Sequence, residues 1–433
     1  MADLPELLPE ELPYADYGRR LYESCLIGAA HMHGKPLFHG APLLLPEALV
    51  DRMYTEARRI GSLFEELCHI VWDEPALLDT FFHLPPFYKL MWLSSSGAWH
   101  GFARMDMFLC DDGRLQICEL NADTPSGQVE ALAPYELLTS MYPALRPVNR
   151  DYEAQLWQVL CRYHRHRTGD DSDPTRIGIL YPTDLPEDQT LIRLYQRWFE
   201  ARGAKVILGA PHNLRRDERG RISLLGEPVE LILRHYKTDW WGERPRIFAD
   251  EDEVPDATPL LRELSVLLTA EREGDVVVVN PFGAILPQNK LSMAFCHEQK
   301  HRFSHQAQRT IEDLIPETRR LDVTDRDMLR RERAQWVLKS DYGCEGDEVI
   351  VGAYVSDEQW QRALEAALPG VWCVQRFFRI SPITGPDAAP WLPNYGVYLV
   401  GGHAAGLFVR LSPEGATTGV DARVTTPFFS PLC

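Results

Sequence analysis

The apolar positions of the chain change period several times, and each change marks an element. Leu49, Met53, Ile60, Phe64, Leu67 and Ile70 fall close to one helical stripe, and Pro46 suits a first helical turn. Helical spacing is expected over about 19–90. Between Gly101 and Asn121 the period becomes two, in runs that flank Asp112-Gly113, a dipeptide that favours a two-residue hairpin turn with positive φ at both positions. That turn would set Asp111 opposite Arg114, Leu109 opposite Gln116, Asp106 opposite Glu119 and Arg104 opposite Asn121. Helices are expected over 128–141 and 151–167. A buried strand at 176–181 (RIGILY), a helix at 186–202 and strands at 204–208 (AKVIL) and 230–234 (ELILR) then make a β-α-β unit of parallel type. A strand at 275–280 (DVVVVN), a helix over 291–310 and a strand, glycine loop and strand over 335–351 follow. Residues 1–18, acidic and proline-rich, read as a loose arm.

The expected hairpin has a face unlike that of a structural sheet. Period-two alternation puts Arg104, Asp106, Glu119 and Asn121 on one side. Directly opposed side chains have Cβ atoms about 5 Å apart, so two carboxylates there repel each other. A cation between Asp106 and Glu119 removes the conflict. With the amide oxygen of Asn121 they form an all-oxygen set suited to Mg²⁺, which completes its shell with water and phosphate. Arg104 beside them suits a phosphate. Further on, Lys339 ends a strand before Gly343 and Gly346, whose spacing lets backbone fold over phosphates.

These residues resemble the signature of the glutathionylspermidine synthase family of ATP-grasp carboxylate–amine ligases: Arg-x-Asp, then Gly-x-Leu-x-Ile-x-Glu-x-Asn-Ala-Asp-Thr-Pro, and a Glu a few residues on. The resemblance spans roughly 100–430 and covers the synthetase part; no stretch resembles the amidase domain of the bifunctional synthases. It implies an α/β ATP-grasp fold with a preceding smaller α/β lobe. The implied layout is an arm at 1–18, a helical region with the hairpin (101–123) at 19–150, the smaller lobe at 151–255 and the nucleotide-binding region at 256–433. It further implies ATP and Mg²⁺ as cofactors. Asp106, Glu119 and Asn121 would bind the metal. Arg104, Lys290, Lys339, Gly343, Gly346, Gln375 and Arg410 would surround the nucleotide, with Arg104, Lys339 and Arg410 acting in catalysis. Lys290 belongs to an Asn-Pro…Asn-Lys element. Lys339 to Gly346 match the length of a Lys-Pro-x-x-Gly-Arg-Glu-Gly loop, with Ser340 in place of its proline and Cys344 in place of its arginine. Thr124 and Ser126, whose hydroxyls can donate to a carboxylate, are candidates for holding the acid substrate.

The reaction so implied is amide formation between a small-molecule or peptide carboxylate and an amine. A non-catalytic nucleotide-binding protein and a phosphotransferase of the same fold are the other readings. Composition adjusts this picture in three ways. A net charge of −18 argues against nucleic-acid binding and would attract a cationic substrate such as a polyamine. Nine cysteines without a C-x-x-C pair read as reduced thiols of a cytoplasmic protein. No apolar run approaches a membrane span, and MADLPELLPEELPYADYG lacks the basic start and apolar core of a signal peptide. Two clusters stay open. His31, His33 and His39 are either loop histidines or a metal site. The run His235 to Trp241 either lines a substrate cleft or packs aromatics at a lobe junction.

Overall fold

The computed structural model describes residues 4–431 apart from 25, 33, 170, 186–187, 243–257, 343–347, 369, 386–388 and 414–421. Its centre is a large sheet built from both ends of the chain. The strand order is Glu6–Leu7, Phe38–Leu45, Arg423–Phe429, His403–Pro413, Pro390–Val400, Phe102–Leu109 and Leu115–Asn121. Strands Phe38–Leu45 and Arg423–Phe429 run parallel, and the other neighbours along this order are antiparallel.

Alternation divides the labour of this sheet. Ala103, Met105, Met107, Tyr395, Val397, Leu399, Leu407, Val409 and Leu411 all join one core with the buried stripe of helix Glu47–Asp73. Residues one position away, Arg104, Asp106, Asn394, Tyr398 and Arg410, therefore occupy the opposite face. The long helix matches the expected stripe, with Pro46 as its N-cap rather than inside its first turn.

Two four-stranded sheets accompany this one, besides two smaller antiparallel sheets. The parallel sheet has the order Val277–Val279, Leu231–Arg234, Arg176–Leu180 and Lys205–Gly209, so the expected β-α-β unit is present. The strand at 277–279 extends it, which carries this lobe past the boundary expected at 255. The second four-stranded sheet pairs Thr318–Arg320, Trp372–Arg376, Trp336–Ser340 and Val349–Val351 antiparallel. The helix expected over 291–310 is two, Leu291–Glu298 and His305–Leu314, because Ser304 caps the second by accepting from the Ala307 N–H.

Two expectations need correction. Helical spacing does not run through 19–90: Phe38–Leu45 is a strand, buried along its whole length. A strand covered on both faces shows no alternation to read. Nor are residues 4–18 loose. Glu6 and Leu7 pair with Leu44 and Leu43, and helix Tyr14–Glu23 buries Tyr17 and Leu21. The Glu10 carboxylate accepts the Gly40 N–H at 2.9 Å and lies 3.1 Å from His39 Nδ1. The prolines that suggested a loose arm sit beside the strand and at the helix N-cap, where a missing N–H costs little.

Tyr17 is fully buried, so Tyr17→Ala is expected to cost about 3–5 kcal/mol in chemical unfolding. An arm that was merely draped over the surface would give a change near zero.

Candidate active site

The hairpin reaches its expected face by an unexpected route. Its loop is Asp111-Asp112-Gly113, closed by the Gly113 N–H on the Cys110 carbonyl and the Cys110 N–H on the Arg114 carbonyl. Of Asp112 and Gly113 only Gly113 has positive φ, so this is a three-residue loop rather than the expected two-residue turn. Leu109 consequently faces Leu115, and Phe108 faces Gln116. A bulge at Cys118 then restores the frame, and Asp106 faces Glu119 and Arg104 faces Asn121 as expected. The two departures cancel at the residues that matter.

Charge on this face is tightly paired. Asp106 is buried, and its Oδ1 accepts from Arg104 Nε at 2.9 Å. Its Oδ2 accepts from Arg410 at 2.5 Å and from Asn394 Nδ2 at 3.1 Å. Burial alone would raise the Asp106 pKa, but the two guanidinium groups and these hydrogen bonds hold it well below the usual carboxylate range. Arg104 also donates to the Ser126 carbonyl at 2.9 Å. It crosses the strand Pro390–Val400 at Gly396, where a Cβ would lie 2.8 Å from its Cδ. Glu119, more exposed, accepts from Asn121 Nδ2 at 3.3 Å and lies 3.8 Å from Lys290 Nζ.

The lysines arrive from the other elements. Lys339 Nζ donates to the Cys118 carbonyl at 3.0 Å and to Gln375 Oε1 at 2.7 Å. The bulge thus turns a backbone acceptor toward the sheet that carries Lys339. Lys290 stands at the start of helix Leu291–Glu298, where the helix dipole disfavours a cation. Glu119 provides the opposing charge. The Asp341 carboxyl is pushed up to about 6 by burial, against the pull of Lys290.

The structure therefore sets the expected residues around one hairpin in three contact groups: Arg104 and Arg410 on Asp106, Asn121 and Lys290 by Glu119, and Lys339 with Gln375 at the Cys118 carbonyl. Ser126 joins the first group through its backbone carbonyl, which also accepts from Tyr398 Oη. Thr124, half-buried, follows Asp123. Gly343, Cys344 and Gly346 lie outside the described residues.

Sequence reasoning missed several members. Asn394 sits two residues before Gly396, in phase with it, and that polar-then-small alternation in an apolar strand was a signal. Asp123 is the middle of a junction: it accepts from Arg234 at 2.7 Å, from Thr238 Oγ1 at 2.6 Å and from the Thr238 N–H at 2.8 Å. Tyr236, Trp240 and Trp241 pack there with Phe282 and other buried apolar side chains, so the aromatic run is junction packing.

Do these residues fit a divalent ion? Among the described residues no group of three or more His, Cys, Asp or Glu converges; His31 and His39 lie on strands, and His33 lies outside the described residues. The hairpin set is two carboxylates and an amide, a combination of hard oxygen donors. Asp106 stays ionised, as a ligand must, and three bonds on two oxygens leave it one lone pair. Asn394 Oδ1 is buried beside it, with no hydrogen-bond partner among the described residues. The donor chemistry fits a hard cation.

Comparison with known proteins agrees with this architecture. A solved apo structure of a glutathione synthetase-like effector from Globodera pallida matches with a TM-score of 0.63 at 12% identity, over 96% of both chains. A putative gamma-glutamylcysteine synthetase from Methylobacillus flagellatus KT gives a TM-score of 0.42 at 12% identity, over 86% of this chain and 87% of that one. The fold is α/β, of ATP-grasp type, with a smaller α/β lobe before it. The family model described as glutathionylspermidine synthase pre-ATP-grasp matches residues 39–424. The chain belongs to that family. None of the curated proteins matches it.

Removing the anion between two guanidiniums leaves them uncompensated. Asp106→Asn is expected to lower stability by about 3 kcal/mol. Because the folded pKa is depressed, this contribution is present above the ordinary value of 3.8 and is lost as pH falls through the folded value. Urea titrations should therefore show a gap between wild type and variant that holds from pH 5 to pH 8 and narrows only in strong acid.

Proposed function

We propose that the protein is an ATP- and Mg²⁺-dependent carboxylate–amine ligase. The observation that carries this reading is the charged hairpin face, with Arg104 and Arg410 on Asp106, Lys290 by Glu119 and Lys339 on the Cys118 carbonyl, set on a fold of the glutathionylspermidine synthase family.

The chemistry has two steps. A substrate carboxylate oxygen takes the γ-phosphoryl group of ATP and ADP departs. The amine nitrogen then attacks the acyl carbon, phosphate leaves, and the amine loses a proton. Neither step needs a covalent enzyme nucleophile, so catalysis rests on positioning and charge. Asp106, Glu119 and Asn121 would hold the metal. When bound, Mg²⁺ neutralises phosphate charge and orients the transferring group. Lys290 and Lys339 bring positive charge from two separate elements to the hairpin edge. Arg410 exchanges Asp106 for phosphate oxygens, and Arg104 fixes Asp106. Thr124 and Ser126 would receive the acid. A peptide or amino-acid carboxylate and an amine, a polyamine among them, are the substrate classes.

Cys344 favours a second reading. It replaces the loop arginine of the family, and losing a charged donor at a transition state costs several kcal/mol. That reading is a ligase of the same chemistry on a different peptide or amino acid; nucleotide binding without ligation is the outcome if no other arginine serves.

Calorimetry with an ATP analogue separates the parts. Binding should tighten at least tenfold with Mg²⁺, and Glu119→Ala should abolish that gain; equal affinity with and without the ion would overturn the metal assignment. ADP release that requires both an acid and an amine identifies the ligase. Release without amine identifies a phosphotransferase, and none with any pair leaves nucleotide binding alone.

A further inference from the structure

We propose that Asn280 and Gln288 are positioning residues that lock the register of the hairpin face, and so set the affinity of the metal site proposed above. The inference rests on that reading of Asp106, Glu119 and Asn121.

The bulge at Cys118 creates the need for a lock. The register between the strand Leu115–Asn121 and its partner shifts by one residue at the bulge. A slip of one residue above the bulge would turn Glu119 and Asn121 to the apolar side. The ladder ends at the Arg104–Asn121 pair. Extended by two residues, it would set Phe102 opposite Asp123.

A side-chain amide occupies that position instead. Asn280 Oδ1 accepts the Phe102 N–H at 2.8 Å. Its Nδ2 donates to the carbonyls of Phe102 at 2.8 Å, Ala122 at 2.8 Å and Asp123 at 3.1 Å. Asn280 is fully buried, and a Cβ on Gly101 would lie 2.3 Å from its Oδ1. From the other direction Gln288 Oε1 accepts the N–H groups of Ala122 at 2.8 Å and Asp123 at 3.2 Å. Both backbone groups of Ala122 and of Asp123 are thus held by side chains. In an undistorted hairpin the partner strand would do this work.

Glu119 and Asn121 consequently lie between two clamps. Lys339 grips the Cys118 carbonyl on one side. Asn280 and Gln288 grip residues 122–123 on the other. The upper clamp comes from the segment that also carries Lys290, so the metal face and that lysine are placed by one piece of chain. Groups that orient ligands without touching the metal typically change metal affinity 10–100-fold when removed.

Gln288 acts here only as an acceptor, which gives a discriminating test. Mg²⁺ is titrated calorimetrically at fixed ATP analogue with the full chain. Gln288→Met should weaken the Mg²⁺-dependent affinity at least tenfold, while metal-free nucleotide binding stays within about twofold of wild type. Gln288→Glu keeps the acceptor and should bind no more weakly than wild type. Asn280→Ser, which loses most of the donors, should behave like Gln288→Met; if it does not fold, the Gln288 pair still decides. A methionine variant with a lower Tm but wild-type Mg²⁺ affinity overturns the proposal, as does a glutamate variant as weak as the methionine one. A wild type with no Mg²⁺ dependence overturns the metal site itself and is recognised before any variant is compared.

Discussion

The two-sided character of the central sheet governs the rest of the molecule. One side must be dry enough to cover helix Glu47–Asp73, and the other must hold opposite charges within a few ångströms of one another. Strand geometry alone joins these demands, because neighbouring residues point to opposite sides. Several apolar residues that anchor the sheet fix a charged neighbour on the far face. Met105 and Met107 in the core place Arg104 and Asp106 outside it. Rigidity of the core thus becomes precision of the charged face.

Much of this was legible in the chain. Period-two alternation from Gly101 to Asn121 yields the face, and an opposed acid pair is conspicuous because a plain sheet would not tolerate it. The face survives an incorrect turn assignment only because the extra loop residue and the extra residue at Cys118 offset each other. No local pattern announces that bulge; it is stabilised by Lys339, more than two hundred residues away in the chain. Phe38–Leu45 was illegible for the opposite reason. A strand covered on both faces carries no alternation, and beside a long helical stripe it reads as more helix. The arm misled through composition: its prolines and acids outnumber Leu7, Tyr17 and Leu21, the residues that tie it down.

The junction between lobes explains why the Asn-Ala-Asp run has its particular residues. Asn121 faces the site, whereas Asp123 turns away to meet Arg234 in a buried ion pair backed by Thr238. Burying a charge is costly unless it is paired and hydrogen-bonded, and here both conditions are met on each side. Arg234 stands at the end of a parallel strand, so the pair fixes the smaller lobe against the hairpin. Burial, with repulsion from Asp123 added, pushes the Asp239 carboxyl up to about 6.

Charge balance on the face also bears on how a nucleotide can enter. Asp106 and Glu119 are neutralised by Arg104, Arg410 and Lys290. A polyphosphate arriving alone would compete for Arg410 and Lys290, and each cation it took would leave a carboxylate facing phosphate oxygens at close range. Two like charges at such distances, partly shielded from water, repel by several kcal/mol. A divalent ion arriving with the polyphosphate removes the conflict, since it supplies the carboxylates with positive charge as the arginine and lysine turn to the phosphates. Every group then exchanges one partner for another of the same sign, and no charge is left bare. The divalent-ion dependence proposed above would follow from the pairing already present in the protein, before any detail of coordination is specified.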